Sequence, residues 1–214
     1  MIASKITGIE FGILSPEMIK DMATVRIVTS ELYDADGYPV DGGIMDPRMG
    51  VIDPGMRCRT CGGGFGECIG HFGYIELAKP VIHVLFTKHI YYLLKSICKK
   101  CSRVMNKKAD SLEKAAKNAP KKCPYCNTQQ EKITFMKPYM FYEGKDELDP
   151  AKIRERFENI PDNDLKKIGF NGGRPEWLII TLFPVPPVTM RPVSYTHLRA
   201  HETRHDLVCR LLLE

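Results

Sequence analysis

Apolar residues along this chain recur at two spacings, and the runs that carry them are short. Ile90, Leu93, Leu94 and Ile97 stand three and four residues apart, the period of one helix face, and predict a helix that delivers Cys98. Ile153, Phe157 and Ile160 repeat that period behind Asp149-Pro150, a pair suited to cap a helix and open its first turn. Ser15-Pro16-Glu17 carries the same start signal, with the acid placed to complement the helix dipole. Asp110 and Glu113 read as a capping box for a short helix that ends before Pro120. A further short helix through Leu165 is expected to stop at Gly169. Strand-like runs are Ile6–Phe11, Tyr74–Leu77 and the buried run Trp177–Phe183, which Pro184, Pro186 and Pro187 close. Between Tyr33 and Pro54 no period lasts and Asp, Gly and Pro dominate, so a long ordered loop is expected. The fold class is α+β, irregular, with short helices, short strands and long ordered loops.

Composition narrows the class without naming a function. With 214 residues and 43% hydrophobic content, the chain can build one good core or two small ones. No apolar run approaches the roughly 20 residues that span a bilayer, and the start Met1-Ile2-Ala3-Ser4-Lys5 lacks a secretory signal's apolar stretch. No membrane partner and a cytoplasmic location are therefore expected. In a reducing compartment Cys-x-x-Cys pairs favour metal over disulfides, and a secreted disulfide framework would need no histidine beside its cysteines.

The cysteines fall into two sets. Cys58, Cys61, Cys68 and His71 have the types and spacing of a closed tetrahedral zinc site, three thiolates and one imidazole. Gly62, Gly63, Gly64, Gly66 and Gly70 suit a chain folded tightly around an ion, where positive φ is often required. Cys98, Cys101, Cys123 and Cys126 match a four-cysteine ribbon, two knuckles about twenty residues apart. A pairing in which each half lends one knuckle to a shared metal is the alternative. Two structural zinc ions per chain are expected, since protein fills all four positions and leaves none for water or substrate. Only Cys209 has no assigned partner.

Charge is uneven although the formal net value is only +5. Lys95, Lys99, Lys100, Arg103, Lys107, Lys108, Lys114, Lys117, Lys121 and Lys122 crowd one stretch, opposed there only by Asp110 and Glu113. A solvated lysine face is the plain reading. On a zinc-pinned loop the same stripe is an electrostatic footprint for nucleic-acid phosphate, with Lys99, Lys100, Arg103, Lys107, Lys108, Lys121 and Lys122 as candidate contacts. Such contacts position a protein and do not read bases.

No catalytic motif is found: no Walker loop, no Gly-x-Ser-x-Gly, no His-Glu-x-x-His. Asp34-Ala35-Asp36-Gly37 lacks the remaining ligands of a calcium loop and reads as a turn. His83 and His89 flank an apolar helix and read as packed or capping residues. A zinc hydrolase would need an open metal position, which neither set offers.

Several segments together resemble a known family. Phe11-Gly-Ile-Leu-Ser-Pro-Glu17, Asp46-Pro-Arg-Met-Gly50, the Cys58–His71 cluster followed by Gly73-Tyr-Ile-Glu-Leu77, and Arg174-Pro-Glu-Trp177 with Pro184-Val-Pro-Pro187 resemble, in order, the largest subunit of multisubunit RNA polymerases. The resemblance covers about residues 5–192, and the close spacing of the second cysteine set is similar to the archaeal form, the A-prime half. It implies a zinc-braced N-terminal clamp segment that holds template DNA in the main channel, in the company of other polymerase subunits and of initiation and elongation factors. The eight zinc ligands would brace the clamp. The family's Mg2+ loop, Asn-Ala-Asp-Phe-Asp-Gly-Asp, is not in this chain, so Mg2+ and nucleotidyl transfer would belong to the complete polymerase. The rival reading is a free-standing zinc-ribbon transcription factor that binds nucleic acid.

The expected divisions are 1–57 (strand, helix and ordered loop), 58–126 (zinc-binding clamp region, two sites), 127–192 (helical segment and Trp-containing strand) and 193–214. The last, Tyr195 to His205 and beyond, departs from the family and is read as a non-native tail on a truncated chain. Its His197, His201 and His205 share a helical spacing that could bind metal.

Overall fold

The computed structural model describes residues 12–106, 111–170 and 173–191. In chain order the helices are α1 (Pro16–Met22), α2 (Thr87–Ser96), α3 (Leu112–Lys117), α4 (Pro150–Glu158) and α5 (Asp162–Lys167). The strands are β1 (Ala23–Ile27), β2 (Phe72–Ile82), β3 (Ile133–Met136), β4 (Met140–Glu143), β5 (Asp146–Glu147) and β6 (Ile179–Val185). They form two three-stranded sheets, ordered β1-β2-β6 and β3-β4-β5. The architecture is thus mixed α+β with short elements. Among the described residues no helix is long and apolar enough to cross a membrane.

The chain divides into two compact units, one gathering Lys20–Ile75 with the stretch from Pro184, the other Glu76–Phe183 with the stretch up to Ile19. In the first, β1 and β2 run parallel, with Val25 opposite Gly73 and Ile27 opposite Ile75. A bulge leaves Thr24 out of register, and its hydroxyl donates to Phe72 O at 3.2 Å. Val25, Ile27, Met45, Met49, Val185 and Val188 make the core of this unit. The expected loop after Tyr33 is built from local bonds. Asp34 Oδ1 accepts from Asp36 N at 3.0 Å and Tyr38 N at 2.8 Å, so Asp34-Ala-Asp-Gly37 is a turn as its residues suggest.

The second unit is built on helices whose starts the sequence marks. Asp149 Oδ1 accepts from Ala151 N at 3.0 Å and caps α4, as Ser15 Oγ accepts from Met18 N at 3.0 Å and caps α1. Ile90 and Leu93 on α2 and Ile153 and Phe157 on α4 are fully buried, each contributing about 1.5–3 kcal/mol. Phe141, also fully buried, brings the β3-β4 hairpin onto the same core. Arg174 ties the C-terminal end of α4 to α5, donating to Glu158 O at 2.9 Å and pairing with Asp162.

Four expectations change. The strand at Tyr74–Leu77 extends over Phe72–Ile82 and includes Pro80; the pairing to β1 stops at Ile75, so the proline's missing N–H interrupts no bond to β1. Trp177 is not in a strand but in a 3-10 turn, Pro175–Leu178, whose first proline presets the turn. β6 begins only at Ile179, and it is not wholly buried, since Phe183 is 47% exposed. The cap position of α3 is taken by Ser111. Asp110, the run Ile6–Phe11 and the tail 193–214 lie outside the described residues.

Candidate metal centres

In the first centre the ligand atoms of Cys58, Cys61, Cys68 and His71 all lie within 4.8 Å of one another. The Cys58–Cys61 turn is closed by Cys58 N donating to Gly63 O at 2.9 Å and Gly62 N to Cys58 O at 2.8 Å. Gly62 sits at φ +74°, a conformation that a side chain strongly disfavours. Gly70, at φ +87°, donates its N–H to Cys68 Sγ at 3.3 Å, and a Cβ there would collide with Pro187 and Thr189. His71 Nε2 is buried with no hydrogen-bond partner among the described residues, which suits a lone pair given to a metal.

The second centre gathers Cys98, Cys101, Cys123 and Cys126 within the same 4.8 Å limit, with Sγ separations of 3.4 Å (Cys98 to Cys126) and 3.7 Å (Cys101 to Cys123). Each set closes on itself. Both knuckles repeat the first centre's backbone: Ser102 N donates to Cys98 O and Asn127 N to Cys123 O, each at 3.0 Å. Cys98 N and Cys123 N reach Arg103 O and Thr128 O, also at 3.0 Å. The residue after the second cysteine is left-handed each time, Ser102 at φ 52° and Asn127 at φ 57° where the first centre has Gly62. Gln130 Nε2 donates to Cys98 Sγ at 3.3 Å. Sequence reasoning missed these three residues. Asn127 carried a signal, since asparagine tolerates that conformation; Gln130 lies too far along the chain to carry one.

The thiols of each set are pushed in opposite directions. Burial, then the neighbouring thiols, push Cys68 up to about 11, with a bond from the Gly70 N–H opposing. Burial and the other three thiols likewise push Cys101 up to about 12, and burial raises Cys123. Bonds from the Thr128 side chain and backbone bring Cys126 down to about 6. Burial works against ionising Cys58, but backbone N–H groups of Cys61 and Thr60 and the neighbouring thiols outweigh it and lower its pKa. In each set some thiols are pushed down and others up; a dication held there would favour the thiolate at all of them. Among the described residues no other cluster of three or more such ligands is found.

The basic stripe is less uniform than it reads in sequence. Lys99 Nζ pairs with Glu131 at 2.7 Å, and Arg103 Nε faces the buried Asp164 at 3.6 Å while its guanidinium stacks 4.1 Å from the Tyr125 ring centre. Lys100, Lys121 and Lys122 are exposed, and no ion pair to them is seen among the described residues. Lys107 and Lys108, like His197, His201, His205 and Cys209, lie outside the described residues. His83 packs edge-on against Phe86 at 4.8 Å and belongs to no ligand cluster.

Comparison with known proteins fits this arrangement to a family. The family model described as RNA polymerase Rpb1, domain 1, matches residues 3–212, a span that runs on into the segment expected above to be foreign. The chain is 44% identical over 234 residues to DNA-directed RNA polymerase subunit Rpo1N of Methanothermobacter thermautotrophicus, covering 99% of this chain and 27% of that subunit. It is 45% identical over 239 residues to the Rpo1N subunit of Methanocaldococcus jannaschii, covering 99% of this chain and 18% of that one. Against the Sulfolobus acidocaldarius subunit it is 44% identical over 217 residues, with 87% and 24% covered. The chain thus spans about a quarter or less of the length of these relatives. It belongs to the RNA polymerase Rpb1 family and corresponds to the first domain of that largest subunit.

Proposed function

We propose that this chain is the N-terminal clamp segment of the largest subunit of a DNA-directed RNA polymerase, and that it helps to hold template DNA in the main channel during transcription. The observation that carries this reading is the occurrence of two complete four-ligand sets in a chain that the family model matches over residues 3–212. Each set is proposed to hold one structural zinc ion: Cys58, Cys61, Cys68 and His71 the first, Cys98, Cys101, Cys123 and Cys126 the second. Four sulfurs at about 2.3 Å from a tetrahedral zinc stand about 3.8 Å apart. The separations of 3.4, 3.5 and 3.7 Å between sulfur pairs fit that cage. Zinc would supply rigidity and no chemistry, since each set already fills four positions. The residues' own work is to fix the loops that carry them and, through Lys100, Lys121 and Lys122 with Lys99, Arg103, Lys107 and Lys108 beside them, to meet phosphate. Nucleotide addition with Mg2+ would fall to the complete polymerase, whose other subunits and transcription factors are the proposed partners, in the cytoplasm. Elemental mass spectrometry of the purified chain tests the metal assignment. About two zinc per chain is expected, falling to about one in Cys61→Ser; a wild-type ratio near one removes a site from the proposal.

A further inference from the structure

The 3-10 turn Pro47–Met49 presents three consecutive backbone carbonyls to the first metal centre. Pro47 O accepts from Arg59 N at 3.2 Å, Arg48 O from the Thr60 hydroxyl at 2.7 Å, and Met49 O from His71 N at 3.0 Å. Arg59 and Thr60 are the two residues between Cys58 and Cys61, while His71 is the last ligand. The turn is therefore bonded to both ends of the ligand loop. Thr24 of the β1 bulge also approaches Arg48 O, at 3.4 Å.

What fixes the turn is Asp46, which is fully buried. Its Oδ1 accepts from Arg48 N and Arg48 Nε, both at 2.9 Å, and its Oδ2 from Gly42 N and Arg48 Nη2, both at 2.6 Å. Four donors occupy the two oxygens. Burial alone would raise this carboxyl's pKa, but the bonds from Arg48 and Gly42 and the guanidinium charge outweigh it, and the group stays ionised.

We infer that Asp46 is a positioning residue of the first metal centre: it touches no ligand, yet through the Pro47–Met49 turn it holds both ends of the ligand loop at the spacing one ion requires. This rests on the reading that the cluster binds zinc. Residues that orient a metal's ligands typically change its affinity 10–100-fold when altered. Asp46→Asn keeps the shape but turns an amide donor toward N–H groups that need an acceptor.

The test follows zinc leaving the purified, intact chain to a chromogenic chelator, with the two centres told apart by the ligand-field bands of the cobalt-loaded protein. A wild-type chain that holds no metal at the first centre would defeat the underlying metal reading, whatever the variant does. With the first centre loaded, Asp46→Asn is expected to release its metal about 10–100-fold faster and to alter that centre's cobalt bands, leaving the second centre unchanged. Unchanged release, or equal acceleration at both centres, overturns the inference. Thr60→Val removes only the hydroxyl bond to Arg48 O; it should speed first-centre release a few-fold and decides the matter if Asp46→Asn does not fold. No effect of Thr60→Val in that case overturns the inference.

Discussion

At the scale of single residues, burial decides more than chemical type. His83 has its Nδ1 buried with no hydrogen-bond partner among the described residues, and burial lowers its pKa below the usual imidazole value. Above about pH 6.5 it is neutral folded and unfolded, so it adds no pH dependence. As the pH falls below that value the unfolded chain takes up a proton that the folded one refuses, and stability drops until the folded pKa is passed. The wild type should therefore lose stability as the pH falls through that window. His83→Gln should lose correspondingly less in urea titrations between pH 7.5 and 5.5; parallel curves would refute the assignment. Gly70→Ala meets two costs, a left-handed φ and a collision with Pro187 and Thr189. A loss of about 2–4 kcal/mol is expected, read from urea midpoints of the zinc-loaded chain. The glycine-rich run thus announced its need for unusual backbone in the sequence. Ser102 did not, because serine is unremarkable at that position until the knuckle's bonds are seen.

At the scale of elements, helices were legible and strands less so. A capping side chain followed by a proline and a 3.6-residue apolar period specifies α4 from its own residues, and Ile153 and Phe157 are buried as that period requires. Asp149→Ala should cost about 1 kcal/mol in chemical denaturation, with little change in metal content. A cost near zero would mean that core packing alone fixes where α4 begins. β1 escaped notice because five residues behind a helix carry little period of their own, and its partner lies beyond the Cys58–His71 loop. The β3-β4 hairpin also escaped notice, because Ile133-Thr-Phe-Met136 and Met140-Phe-Tyr-Glu143 are only four residues each and stand among charged residues.

At the scale of the whole molecule, the two candidate ligand sets were readable because their spacing is local, whereas the charge pattern was not. The stripe looked nearly unopposed because its acids, Glu131 and Asp164, come from outside the stretch. On the proposed reading, with Lys99 and Arg103 so engaged, Lys100, Lys121 and Lys122 are the candidate contacts among the described residues that would neutralise phosphate. About three contacts give a slope near −3 in log affinity against log salt, with dissociation constants no tighter than ~10⁻⁴–10⁻⁶ M. Fluorescence anisotropy on unrelated duplexes across a salt series should find little sequence preference. Alanine at all three lysines should remove most of the slope. Tight, salt-resistant binding to one duplex would favour a free-standing, sequence-specific factor.

The parallel pairing of β1 with β2 has a further consequence, in time. Parallel neighbours need a long crossover, and a helix commonly supplies it. Here residues 28–71 form the connection, and the first ligand set stands in its last part. Joining such distant strands carries the entropy of closing a long loop, which slows folding unless something shortens the search. A metal gathered by Cys58, Cys61, Cys68 and His71 would compact the end of the connection and bring Phe72 into place. The speed at which this half of the chain folds should then depend on free zinc. In refolding from urea the slow phase should quicken as zinc is raised and level off at saturation, and a rate indifferent to zinc would show that the strands find each other first.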